Sequence, residues 1–253
     1  MHKIFANTLF MGKQYISLPS CHSTNDIALQ MAAEMLLYDG AVIHAFNQTN
    51  GRGQRGNKWQ SEAGKNLTFT LMTKPKFLDS AAQFELNRIV SLAIADMLEA
   101  FLGDNKVSIK WPNDIYLGNK KVAGILIENT LIGRTIGKSI IGIGLNVNQK
   151  SELPQNATSM VISKGEKLDL LYVLDSLVGK LENYYLLLKS GNIDSIHEEY
   201  SHRLYQKGIV AKYSDEKGPF EGVLQGVALD GTLLIEAVNG QIKEYQFKEV
   251  QFL

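Results

Sequence analysis

Apolar positions along this chain follow two periods. Between Phe84 and Phe101, Ile89, Ala93, Met97 and Phe101 recur every four residues, which predicts a helix laid on a sheet through that stripe. The same period in Ile27, Met31 and Met35 predicts a helix over Asp26 to Leu37, with Ser23 and Asp26 forming a capping-box-like start. Two further helices fall near Leu170 to Leu188 and Ile193 to Leu204. Short apolar runs near Val42, Leu67 to Met72, Val107, Val122 and Ile140 read as strands. Alternating with the helices, they predict an α/β (α+β) core, a mixed sheet with packed helices. From Tyr205 the pattern changes. Gly208, Gly218-Pro219, Gly222, Gly226, Asp230-Gly231 and Asn239-Gly240 punctuate short β-rich runs at intervals of about 8 to 12 residues, the signature of a small barrel. The expected division is therefore residues 1–204 for the core and 205–253 for a small C-terminal β-domain.

Polar residues interrupt this pattern at places that carry chemistry. Gly51 to Gly56 reads GRGQRG. Its glycines let backbone N–H groups approach an anion, and Arg52 and Arg55 add planar forks of donors that match a carboxylate or phosphate. The spacing also fits the dinucleotide fingerprint GxGxxG, but that use needs a helix directly after the loop. Asn57 to Gly64 shows no helical recurrence. Poor in apolar anchors, the whole segment from Gly51 to Gly64 is expected to be mobile until a ligand orders it.

A second cluster, Lys110-Trp111-Pro112-Asn113-Asp114, precedes Lys120-Lys121-Val122-Ala123-Gly124. Strand-like residues on both sides of Gly118-Asn119 predict a hairpin that gathers these polar groups at strand ends. Asp114 is a hard oxygen ligand suited to a magnesium ion on phosphates, and Lys110 and Lys121 suit phosphate or carboxylate oxygens. Lys120 reads equally well as a solvated strand end. The third cluster, Gly142 to Asn148, puts two glycines in a strand, which calls for close approach by a flat group such as an adenine ring. Asn146 and Asn148 offer amides for a base edge, or belong to an asparagine-rich turn.

Taken together, GRGQRGNKW, KWPNDIY, KVAGILIE and GIGLNVN resemble the biotin protein ligases in order and separation, and the resemblance covers nearly the whole chain. It implies a ligase that joins biotin to ATP as biotinyl-5′-AMP, with magnesium, and transfers biotin to one lysine of a biotin carboxyl carrier domain. Ser23, Thr24, Asn25 and Gln48 match the family's biotin-binding positions, as do Gly51, Gly53 and Gly124. Neutral hydroxyls and amides suit a ureido head group because they orient it without the desolvation cost of a charge. With Ser23 also placed to cap the helix, Thr24 is the expected ligand contact, though which hydroxyl meets biotin is left open. Arg52 and Lys121 match the arginine and lysine on the biotin carboxylate and α-phosphate, and are the expected catalytic pair. Gln54, Arg55, Trp59, Lys110, Asn113 and Asn146 match positions around ATP or the adenylate, with Asp114 at the metal. Many relatives carry arginine where this chain has Gln54, so the loop has one cation fewer. The resemblance also implies a C-terminal barrel of the Src-homology type. A lipoate- or octanoyl-transfer enzyme of the same broad fold is the alternative.

Composition adds limits. There are 26 basic and 26 acidic residues, so no global basic field suggests nucleic acid or membrane as partner. Only the start of the chain precedes Ser23, too little for a winged helix-turn-helix, and no DNA-binding repressor function is expected. A single cysteine, Cys21, excludes an intrachain disulfide. Lacking a signal-like or membrane-spanning run, the chain is expected in the cytoplasm, as monomer or homodimer. Gly133 to Ser139 approaches a P-loop but has one residue too few between its glycines, and reads as a hairpin turn.

Overall fold

The computed structural model describes residues 5–103 and 107–253, except the side chain of Arg55. A seven-stranded mixed sheet forms the core, in the order β1-β2-β5-β9-β8-β7-β6. Its strands are β1 (Tyr15–Leu18), β2 (Ala41–Ala45), β5 (Leu67–Thr73), β6 (Val107–Lys110), β7 (Asp114–Leu117), β8 (Lys120–Ile132) and β9 (Thr135–Leu145). Only β1 and β2 run parallel; every other neighbouring pair is antiparallel. Two short strands, β3 (Gly51–Arg52) and β4 (Lys58–Trp59), pair as a separate ribbon. The hairpins at Gly118-Asn119 and Gly133-Arg134 stand where turn chemistry placed them.

One face of the sheet carries α2 (Phe84–Leu102), α3 (Met160–Lys164), α4 (Leu170–Lys189) and α5 (Ile193–His202). The Ile89, Ala93 and Met97 stripe of α2 is buried there, as its period requires. The other face carries α1 (Thr24–Ala33), and here the sequence reading needs correction. The helix ends four residues before Leu37, because Met35 adopts a left-handed backbone and is 85% exposed. Its buried stripe is Ala28 and Ala32, small residues that let the helix lie close on Ile43, Met72 and Ile140. Nor does the Ser23 hydroxyl cap it.

The C-terminal sheet, in the order β13-β12-β11-β10-β14, contains β10 (Val210–Asp215), β11 (Gly218–Val227), β12 (Leu233–Ala237), β13 (Ile242–Tyr245) and β14 (Gln251–Phe252). It is antiparallel throughout. Its core residues Tyr213, Leu224, Leu233 and Ile235 merge with the main core rather than forming an isolated cluster. Arg88, 2% exposed on α2, fastens the two parts. It donates to the carbonyls of Val227 (3.2 Å), Ala228 (2.5 Å) and Leu229 (3.4 Å) while paired with Glu85 at 2.6 Å. Trp111 adds a bond from its indole N–H to the Gly231 carbonyl at 2.9 Å.

His44, fully buried on β2, sits between Tyr15 and Phe46 with its Nδ1 3.2 Å from the Tyr15 hydroxyl. Burial pushes its pKa down to about 4. An unfolded chain takes this proton near pH 6.5 and the folded one does not, so stability is lost as pH falls from 6.5 toward 4. The loss from this group reaches at most roughly 3 kcal/mol. Urea denaturation at pH 7 and pH 5 is expected to show a smaller difference for His44→Leu than for the natural sequence; equal differences would assign the slope to other groups.

Candidate active site

A cleft of about 250 Å³ opens on the α1 side of the sheet. The strand ends of β8 and β9, the start of α1, the β3–β4 ribbon and the turn between β6 and β7 all contribute to it. Of the positions singled out in the sequence, Ser23, Thr24, Asn25, Gln48, Arg52, Gly53, Gln54, Trp59, Lys110, Asn113, Asp114, Lys121 and Gly124 line it.

Gly51 lies behind this lining, where an added Cβ would strike the Trp59 carbonyl. Asn146 is buried beneath it, donating to the Thr158 carbonyl at 3.0 Å while its Oδ1 is unpartnered. Asn148 makes a reciprocal pair with the backbone of Leu168 and plays its part outside the cleft. The side chain of Arg55 lies outside the described residues. After Gly56 the chain enters β4, not a helix, which removes the dinucleotide reading of GxGxxG.

A continuous chain of polar contacts runs across the floor. Gln48 Oε1 accepts from the Thr24 backbone N–H at 2.7 Å and its hydroxyl at 3.1 Å. Thr70 Oγ1 lies 2.8 Å from the Thr24 hydroxyl and donates to Asn25 Oδ1 at 2.7 Å. Asn25 Nδ2 then donates to Glu128 at 2.9 Å, and Glu128 meets Arg52 at 2.7 Å. Arg52 closes the chain on Asp26 at 2.5 Å. Thr24 is thus held by protein partners, whereas the buried Ser23 hydroxyl makes no cap bond. The cap expected from the capping-box pattern is therefore absent.

The second cation is paired too. Lys121 Nζ stands 2.6 Å from Asp114 and 5.6 Å from the centre of the Trp59 ring. Segment 156–158 fixes its backbone: Lys121 N–H donates to Asn156 at 2.9 Å, and its carbonyl accepts from Thr158 at 2.8 Å. Asn113 is a bracket between the β6–β7 turn and β8, donating from Nδ2 to the Ile125 carbonyl at 2.8 Å. Burial lowers the Lys110 pKa, and nearby Lys121 adds to the effect while Asp114 opposes it.

The glycines of β8 and β9 have a different immediate partner from the one the sequence suggested. A Cβ at Gly144 would run into the Trp59 indole, and one at Gly142 into the Asn25 amide. The flat group seated on the bare strand is the protein's own tryptophan. Asp26 and Glu128, the carboxylates that hold Arg52, were missed in the sequence, as were Phe69 and Phe247 in the lining. Glu128 ends the KVAGILIE run, and that position was its only signal. The described residues contain no cluster of three or more His, Cys, Asp or Glu able to cage a metal, and Asp114 is the one carboxylate among the described residues that line the cleft. No helix among them is long and apolar enough to cross a membrane.

Residues 17–146 match the model of the biotin/lipoate A/B protein ligase family. The chain belongs to this family. It is 31% identical over 244 residues to the bifunctional ligase/repressor BirA of Bacillus spizizenii, covering 94% of this chain and 74% of that protein. Against the biotin–[acetyl-CoA-carboxylase] ligase of Paracoccus denitrificans it is 30% identical over 228 residues, 87% of this chain and 92% of the relative. The fold matches the biotin protein ligase of Aquifex aeolicus, solved with biotin and ATP, at a TM-score of 0.79 and 29% identity, over 95% of this chain and all of that one.

Gly144→Ala tests the seat of Trp59. The added methyl has no room, so the indole is expected to swing toward solvent and its fluorescence to move to longer wavelength, read in a Trp111→Phe background with unchanged far-UV circular dichroism. An unmoved spectrum would show that the strand yields instead.

Proposed function

We propose that the cleft binds biotin and ATP side by side, forms biotinyl-5′-AMP with loss of pyrophosphate, and passes the biotinyl group to a carrier lysine. One observation carries this reading: two cations, Arg52 and Lys121, share a single cleft with the neutral cluster Ser23, Thr24, Asn25 and Gln48. The neutral cluster suits the ureido head, and the cations suit the two anions that must meet at the reacting centre.

In the first step a biotin carboxylate oxygen attacks the α-phosphorus and the bond to pyrophosphate breaks. Negative charge gathers on the α-phosphate oxygens, where Lys121 and Arg52 stabilise it. Trp59, Gln54, Arg55 and Asn113 lie with the adenylate in this reading, and Gly53 and Gly124 lie with biotin, Gly51 supporting them from behind the lining. Asn146 supports the site from below, through segment 156–158. In this reading Lys110 faces the departing phosphates, and Asp114 would hold a magnesium ion, which would supply charge neutralisation there. In the second step the carrier lysine nitrogen attacks the mixed anhydride carbonyl, the bond to AMP breaks and the amine loses a proton. The acceptor is the carrier domain of a biotin-dependent carboxylase. Residues 1–204 carry the groups that meet the reactants, and 205–253 form the appended β-domain, which lends Phe247 to the lining.

The test is acid-dependent pyrophosphate exchange with labelled ATP and magnesium. Biotin is expected to drive it and lipoate not; exchange with lipoate alone would overturn the reading. Lys121→Ala is expected to lower biotin-driven exchange by about 100- to 1,000-fold with the fold intact, the usual loss for one preorganised donor. Normal exchange by that variant would remove Lys121 from the chemistry.

Gln54 bears on fidelity. A neutral amide holds the adenylate less firmly than an arginine would, by roughly 1 kcal/mol. Released adenylate acylates exposed lysines, so at matched carrier turnover the natural sequence is expected to label bystander protein more than its Gln54→Arg variant. Equal or lower labelling by the natural sequence would mean that another group makes the contact.

A further inference from the structure

Lys110 reaches the cleft through an aromatic enclosure. Its ammonium lies 5.1 Å from the centre of the Tyr116 ring, 5.7 Å from Tyr205 and 5.1 Å from Phe252. It also donates to the Tyr116 hydroxyl at 3.3 Å. Burial, with help from Asp114 and Tyr205, pushes that phenol up to about 12, so it stays neutral beside the cation.

Three separate parts of the fold bring these rings together. Tyr116 stands on β7, next to β6, where Lys110 is the last residue. Tyr205 follows α5 and is tied to β6 by its own N–H, which donates to the Ile109 carbonyl at 2.9 Å. Phe252 comes from β14, held at the edge of the C-terminal sheet opposite Tyr213. The main core therefore supplies the charge, and the C-terminal sheet supplies one face of its enclosure.

A lysine side chain has four rotatable carbons, and in open water its charge samples many directions. Burial would penalise the ammonium, but an aromatic face returns part of that cost and fixes where the charge lies. From this geometry we propose that Phe252 and Tyr205 are positioning residues for the adenylation step, holding the Lys110 ammonium aimed into the cleft, so that the C-terminal β-domain takes part in the chemistry through a cation–π contact. This rests on the reading of Lys110 as a phosphate-facing cation.

The experiment separates ring from volume. Phe252→Leu keeps apolar bulk against Tyr213 but removes the π-face, and Phe252→Tyr keeps the ring. Biotin-dependent pyrophosphate exchange is measured for both variants, for Lys110→Met, and for the Lys110→Met/Phe252→Leu pair, with biotin affinity followed by Trp fluorescence. Phe252→Leu is expected to lower kcat roughly 3- to 30-fold, the range of one cation–π contact, with biotin affinity unchanged. Phe252→Tyr is expected to restore the rate. In the Lys110→Met background Phe252→Leu should then cost nothing further, because the charge it positions is gone.

A natural rate in Phe252→Leu would overturn the proposal, as would an equal loss in both backgrounds, which would mark Phe252 as structural only. Full exchange activity in Lys110→Met would instead overturn the phosphate-facing role of Lys110 and the positioning proposal with it, leaving the biotin reading to the biotin and lipoate comparison.

Discussion

Two bare stretches of backbone in the middle of the sheet, at Gly142 and Gly144, are the constraint on which the site depends. Most strand positions in a buried sheet carry branched side chains, because these fill the pleat and add to the core. Here the pleat is left empty so that the Asn25 amide and the Trp59 indole lie flat against it. Neither could approach over a Cβ. With them go the first turn of α1 and the β3–β4 ribbon, since Asn25 belongs to the former and Trp59 to the latter. The strand loses packing at these points, and the surrounding apolar residues of β5 and β8 offset that loss.

Two of the cleft's cations are held by carboxylates. Arg52 lies between Asp26 and Glu128, and Lys121 against Asp114. Exposed or partly exposed pairs of this kind add little to stability, and their effect is to fix where the two cations lie. Binding an anionic reactant then exchanges one partner for another. Such an exchange is close to neutral for a misplaced anion, which cannot match the carboxylates already there, and favourable only for one that meets the arginine fork in plane. Selectivity in this view comes from competition, with Asp26 and Glu128 as the standing competitors.

Much of the fold was legible because its signals are periodic. The α2 stripe, the strand runs and the glycine-punctuated C-terminal region each depend on local spacing, and the structure places all of them. The end of α1 was not legible: Met35 continued an apolar period, yet a left-handed backbone breaks the helix there, and no glycine announced it. In the site, the glycine loop and lysine clusters stood out because charge and small residues are conspicuous in an apolar context. What could not be read was pairing across the sheet. Asp26 and Glu128 are far apart in sequence and meet only at Arg52, and Phe247 and Phe252 reach the site region only because a second sheet docks beside it.

That docking runs through backbone carbonyls at the end of β11. Val227 closes the strand opposite Leu233, and Ala228 and Leu229 enter the following turn, where the Ala228 carbonyl also accepts from the Gly231 N–H at 3.0 Å. Arg88 supplies the donors from inside the core, and its charge is balanced by Glu85 and covered by the rings of Phe84 and Tyr200. A buried arginine with this many partners is costly to place and costly to disturb, which makes the junction stiff. Stiffness there has a purpose that a loosely tethered appendage could not serve. Cation–π attraction needs the charge within about 6 Å of the ring centre, and Phe252 on β14 stands at 5.1 Å from Lys110, so the two sheets must hold their spacing for the ring to act. The Arg88 clasp and the Trp111 bond to Gly231 hold that spacing from two sides.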